Sequence, residues 1–84
     1  MSQFAARVYI SLKPTVNDPE GNTIGGALQS LGFAGVSAVR SGKFFQVKLD
    51  APSQQEAESQ VKEMCSRLLA NTVIETFSFE VAPA

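Results

Sequence analysis

Arg67-Leu68-Leu69-Ala70-Asn71-Thr72-Val73-Ile74-Glu75 is the stretch on which the fold turns, because a helical pattern passes there into a strand pattern with no loop-like sequence between them. Upstream, apolar residues recur at helical spacing through Leu68. Downstream, Thr72, Val73 and Ile74 are β-branched and suit a pleated strand. Asn71 stands between the two patterns, at the kind of position where a left-handed residue commonly ends a helix.

Working outward, Ser53 and Glu56 fit an S-x-x-E capping box, and Ala57, Val61, Met64, Cys65 and Leu68 share one face of the helix that follows. A strand is expected over Thr72–Val81, with Val73, Glu75, Phe77, Phe79 and Val81 on one face and Ile74, Thr76, Ser78 and Glu80 on the other. At the other end of the chain, Gln3–Leu12 alternates in the same way, with Phe4, Ala6, Val8, Ile10 and Leu12 on the apolar side. Asp18 can cap a helix that has Pro19 in its first position. Ile24, Ala27, Leu28 and Leu31 continue it until Gly32 stops it. Gly21, Gly25 and Gly26 weaken this helix by about 0.5–1 kcal/mol each relative to alanine, and they also permit close backbone approach. Val36–Arg40 and Phe44–Leu49 read as a hairpin around Ser41-Gly42-Lys43, with Gly42 supplying a positive φ.

The resulting order, β-α-β-β-α-β, predicts an α+β, two-layer ferredoxin-like sandwich: a four-stranded antiparallel sheet with both helices on one face. The other face is then uncovered, and Tyr9, Phe44 and Ile74 are placed to populate it. Large apolar groups on a free sheet face favour self-association over a solvated surface. An 84-residue chain is a single small domain that buries roughly 60–65% of its unfolded surface, so oligomerisation is a natural supplement to its stability.

Composition excludes several classes of function. Seven basic against eight acidic residues give a net charge of −1, with no broad positive field for nucleic acid or an anionic membrane. The apolar runs are far shorter than the roughly 20 residues that span a bilayer, and the N-terminus lacks a signal-peptide core. A single cysteine, Cys65, agrees with a reducing compartment, so a cytoplasmic location is expected. The chain has no histidine, which removes the usual general base and the commonest metal ligand. Cys65 lies on the apolar face of the second helix and reads as a structural thiol. Glu56, Glu58 and Glu63 read as a solvated helix surface, and no catalytic, cofactor or metal constellation emerges.

Two weaker motifs also point to nothing. Gly21-Asn22-Thr23-Ile24-Gly25-Gly26 lacks the Lys-Ser or Lys-Thr of a phosphate loop. Ser41-Gly42-Lys43-Phe44-Phe45-Gln46-Val47 is loosely similar to an RNA-recognition strand but has different spacing. Arg40 and Lys43 bracket the expected turn as candidate contacts for an anionic group, with solvated turn charges the plainer reading.

Three segments together resemble the PurS family, the small subunit of phosphoribosylformylglycinamidine synthase. They are Asp18-Pro19-Glu20-Gly21, Val39-Arg40-Ser41-Gly42-Lys43 and Met64-Cys65-Ser66-Arg67-Leu68-Leu69-Ala70-Asn71-Thr72-Val73-Ile74-Glu75. The resemblance extends to length, element order and the early strand Val8-Tyr9-Ile10-Ser11-Leu12-Lys13, so residues 1–84 read as one PurS-like domain. It implies a non-catalytic subunit in de novo purine synthesis. That subunit would join a glutaminase subunit to an ATP-dependent synthetase subunit and support ammonia transfer between them. ATP and magnesium would be used by the synthetase subunit, with no cofactor on this chain. It further implies a homo-oligomer, dimer or tetramer, that contacts neither nucleic acid nor membrane. Arg40 and Lys43 become candidates for partner or substrate-phosphate contact, and Asn71 and Glu75 for structural or interface roles. Asp18 and Gly21 match the family's D-P-x-G pattern, while Tyr9 and Phe44 remain interface candidates. The alternative from fold alone is a dimeric ferredoxin-like module that binds a small regulatory molecule, because such modules share this element order.

Overall fold

The core is built on β1 (Ser2–Leu12), which lies between β2 (Gly42–Ala51) and β3 (Glu75–Pro83) in a three-stranded antiparallel sheet of order β2-β1-β3. The computed structural model describes residues 1–84. The alternation in β1 puts Phe4, Ala6, Val8 and Ile10 inside, as its pattern predicts. Val8 pairs with Phe45 on one side and Phe79 on the other, and Phe4 and Ala6 likewise face apolar residues on both strands, whereas Ile10 faces Phe77 on β3 and Lys43 on β2. α1 spans Pro19–Ser30, and α2 spans Gln54–Met64.

α2 is the helix that closes the core. Ser53 caps it, its Oγ accepting the Glu56 N–H at 3.1 Å, and Ala57 and Val61 are fully buried against the sheet. Cys65 continues the same face and completes the main cluster with Ala6, Val8, Ile10, Val61 and Ala70. Beyond Met64 the chain widens into a π turn, Cys65–Leu69, closed by the Ala70 N–H donating to Cys65 O at 2.9 Å. The extra residue in this turn shifts the helical phase. Leu69 is therefore half-buried against the core, while Leu68, expected on the apolar face, is 82% exposed.

The junction ends differently from its sequence reading in a second respect. Ala70 is extended and Asn71 does not adopt a left-handed conformation; the one positive φ in the chain is at Gly32, 99°. Asn71 instead organises a turn, its Oδ1 accepting the Val73 N–H and its carbonyl accepting from Ile74 and Glu75. Thr72–Ile74 thus form a turn and β3 begins at Glu75. Ile74 lies in that turn and not on the sheet, whereas Tyr9 and Phe44 do pair on the uncovered face, with ring centroids 5.3 Å apart.

The four-stranded sheet is not formed. Val36–Arg40 is not a strand, and α1 has only marginal contact with the other elements, so α2 alone covers the sheet. The reason lies at Ser41-Gly42-Lys43, which runs straight into β2 instead of turning. Gly42 is paired with Ser11 in the ladder, where a Cβ would collide with Ile10 O. Its role is close approach, not a positive φ. α1 and the segment after it consequently project as an arm, and the molecule measures 51 × 26 × 14 Å. Asp18 and Pro19 begin α1, and Gly32 follows its end, as the sequence predicts.

The π turn makes a specific prediction. Leu68→Ala is expected to change the stability measured by urea unfolding by no more than about 0.5 kcal/mol, while Leu69→Ala costs about 1–2 kcal/mol. A helix continuing in α-helical phase would reverse that order.

Candidate functional site

Most of the residues singled out by sequence converge where the base of α1, the start of β2 and the start of β3 meet. Asp18 is the centre of this joint and the one buried charged side chain, 2% exposed. Its Oδ1 accepts the Gly21 N–H at 2.9 Å, which caps α1, and its Oδ2 accepts the Ser41 N–H at 2.6 Å. The Ser41 hydroxyl donates to the same carboxylate at 2.9–3.0 Å. Gly21 is required beside it, because a Cβ there would meet both Val39 O and the Asp18 carboxylate. One carboxylate thereby fastens the start of a helix to a segment 23 residues away.

Arg40 reinforces the joint from outside. Its Nη2 donates to Lys13 O at 3.0 Å and to Val16 O at 2.8 Å, holding the β1–α1 loop against the return segment. Lys43 reaches over the end of β1 to Glu75, with Nζ and Oε2 3.6 Å apart; Lys43 is 59% exposed and Glu75 10%. The other oxygen of Glu75 accepts the Asn71 N–H at 2.7 Å, so Glu75 ties the turn after the π segment to the start of β2. These groups line a cleft of about 410 Å³ that includes Ser11, Asp18, Glu20, Ser41, Lys43 and Glu75.

Asp18, Lys43 and Glu75 are therefore brought together, with Gly21, Arg40 and Asn71 adjoining them. Tyr9 and Phe44 lie elsewhere, on the open face of the sheet. Ser41 was missed as a functional residue in the sequence, where it reads only as a turn residue, because its partner Asp18 is far away in the chain. The cleft holds three carboxylates against Lys43, so its charge balance does not favour phosphate. Asp18 and Glu75 are committed to hydrogen bonds, and the carboxylate beside the Ser41 hydroxyl, already accepting two backbone N–H groups and held below its ordinary pKa, is too weak a base to make that hydroxyl a nucleophile. Cys65 is buried in the core, where desolvation pushes its thiol pKa up, and no group of three His, Cys, Asp or Glu is arranged around a metal position. The bonds the site makes within the chain join the start of α1 to the starts of β2 and β3.

The Asp18 carboxyl is held below its ordinary value of 3.8, chiefly by the Gly21 N–H and then by the Ser41 N–H. Burial opposes this, and the Ser41 hydroxyl and Arg40 charge add to it. Because the folded pKa is lowered, its stabilisation is complete above the ordinary value and is lost as pH falls from about 3.8 through the lower folded value. Asp18→Asn retains a helix cap but not this charge, so its urea midpoint should fall less than that of the native chain between pH 7 and pH 3. Equal falls would assign the acid sensitivity to other groups.

Residues 5–83 match the PurS family, described as phosphoribosylformylglycinamidine (FGAM) synthase. The chain is 46% identical to the phosphoribosylformylglycinamidine synthase subunit PurS of Synechocystis sp., over 93% of this chain and 78% of that one. It is 42% identical to the subunit of the same name from Bacillus subtilis, over 93% and 92% of the respective chains. Among solved structures, B. subtilis PurS superposes with a TM-score of 0.81 at 42% identity, covering 94% of this chain and 98% of the other. A chain in the structure of PurLQS from Thermotoga maritima superposes with a TM-score of 0.90 at 28% identity, covering 98% and 100%. With sequence and fold agreeing over nearly its whole length, this chain belongs to the PurS family.

Proposed function

We propose that this chain is the small, non-catalytic subunit of phosphoribosylformylglycinamidine synthase, and that its work is assembly. The observation that carries the reading is its end-to-end agreement with PurS chains, one of them in the PurLQS structure from Thermotoga maritima. In this reading the complete enzyme converts formylglycinamide ribonucleotide, glutamine, ATP and water into formylglycinamidine ribonucleotide, glutamate, ADP and phosphate. A glutaminase subunit releases ammonia, and an ATP- and magnesium-using synthetase subunit activates the amide oxygen that ammonia attacks. This chain holds the two in register so that ammonia passes between them without loss, in the cytoplasm.

The chain's own chemistry supports a positioning role. It has no histidine, its one thiol is buried, and the carboxylates at its joint are spent on holding the arm. Alignment of two active centres is worth several kcal/mol in rate, so a subunit without reacting groups can still govern turnover. A homodimer is part of the proposal. The radius of gyration is 16.4 Å, against about 12 Å for a compact chain of this length, and Tyr9, Phe44, Ile24, Leu31 and Phe33 are all exposed. A chain of this shape has apolar surface to bury against a second copy.

Reconstitution tests the proposal. The chain alone should show no synthase activity, and adding it to the glutaminase and synthetase subunits should restore glutamine-dependent turnover. Unchanged glutamine-dependent turnover on its omission would end the assembly reading. Charge reversal in Lys43→Glu is expected to weaken association with the larger subunits while leaving the circular dichroism spectrum intact; unaltered association would confine Lys43 to its pair with Glu75.

A further inference from the structure

The corner between α2 and β3 holds two aliphatic side chains away from the core. In unbroken helical phase Leu68 would follow Val61 and Cys65 onto the sheet; the π turn Cys65–Leu69 leaves it 82% exposed instead. Single π turns inside helices recur at functional sites. Val73, in the turn that follows, is 78% exposed. The backbone carrying both is held firmly. Asn71 accepts the N–H groups of Val73, Ile74 and Glu75 through its side chain and carbonyl, and the Glu75 carboxylate accepts the Asn71 N–H at 2.7 Å. The Lys13 N–H donates to Ile74 O at 2.8 Å and ties the turn to the end of β1. Side chains presented on a backbone so fixed lose little further freedom when another surface covers them.

Nothing in this chain is shaped to receive them. None of its four surface clefts is lined mainly by large apolar side chains, so a second copy offers no apolar recess. The two side chains expose a few hundred Å² at most, against roughly 800 Å² per partner in a stable interface. They are therefore sized as the anchor of a larger contact and not as the whole of one. Beside them Glu63 and Arg67 form an exposed ion pair at 2.9 Å, a polar rim without net charge. We propose that Leu68 and Val73 are the anchor by which this chain docks into an apolar recess on a larger subunit of the synthase, with Glu63 and Arg67 at its rim. This inference rests on the assembly reading and adds the surface that does the docking. It gives the π turn two effects: Leu69 is turned in to complete the core, and Leu68 is turned out to meet the partner.

Titrating the chain into a mixture of the glutaminase and synthetase subunits, with glutamine-dependent turnover as the readout, tests the anchor. The Leu68→Ala/Val73→Ala double variant should need at least ten times more chain for half-maximal turnover and reach the same plateau. Leu68→Met, which refills the recess, should stay within about threefold of the native chain. Leu69→Ala separates docking from folding, since it loosens the core but leaves both anchor side chains in place; its half-maximal concentration should match the native one. Three outcomes overturn the anchor: an unshifted titration for the double variant, an equal shift for Leu69→Ala, or a lowered plateau at unchanged half-saturation. So does loss of self-association by the double variant in sedimentation, which would assign the corner to a contact between copies. A native chain without effect on turnover overturns the assembly reading itself, and a distinct result from a native chain that works and a double variant that equals it.

Discussion

One helix has to cover three strands, and much of this chain's architecture follows from that mismatch. α2 and the π turn together span about 24 Å at the helical rise, against about 35 Å for a strand of the length of β1. The central strand is therefore well buried, while Phe45, Val47 and Leu49 on one side and Phe77, Phe79 and Val81 on the other are only partly covered. The π turn is one response: its additional residue brings Leu69 and Ala70 onto the core at the cost of exposing Leu68. Association with another chain is the response the rest of the surface invites.

The joint at Asp18 is the second constraint. A buried carboxylate is tolerable only when its oxygens are filled, and here two backbone N–H groups and a hydroxyl fill them. Those bonds fix where α1 starts and where the return segment meets β2. Arg40 and the Lys43–Glu75 pair brace the same corner. The bonds of these residues within the chain hold an arm at a set angle to the sheet.

Much was legible in advance where the cause is local. The faces of β1, the Asp18 and Ser53 caps, the stop at Gly32 and the burial of Cys65 each follow from neighbours a few residues apart. The family was legible because Asp18–Gly21, Val39–Lys43 and Met64–Glu75 are joined in one chain at family-like separations. Asp18 and Gly21, read as a cap and a close approach, became the centre of the joint only once Ser41 was seen to close it. The π turn was not legible, because helical phase from Ala57, Val61 and Cys65 puts Leu68 on the apolar face and nothing in the neighbouring residues marks the extra residue of the turn.

The sequence by itself determined the first strand, the two capped helices and the alternating body of the last strand, the absence of an imidazole and hence of thiol-histidine chemistry, and the family. Periodicity, capping and residue inventory are properties of adjacent positions, so they are present in the chain before it folds. Tertiary structure alone decided that Val36–Arg40 has no strand to pair with, that α1 stands away from the sheet, and that Lys43 meets Glu75. Val36–Arg40 has strand propensity, but a strand exists only when a second backbone satisfies its hydrogen bonds. Whether that backbone is within reach is set by the packing of Gly42 against Ile10 and the bond from Ser41 to Asp18, contacts between residues distant in sequence.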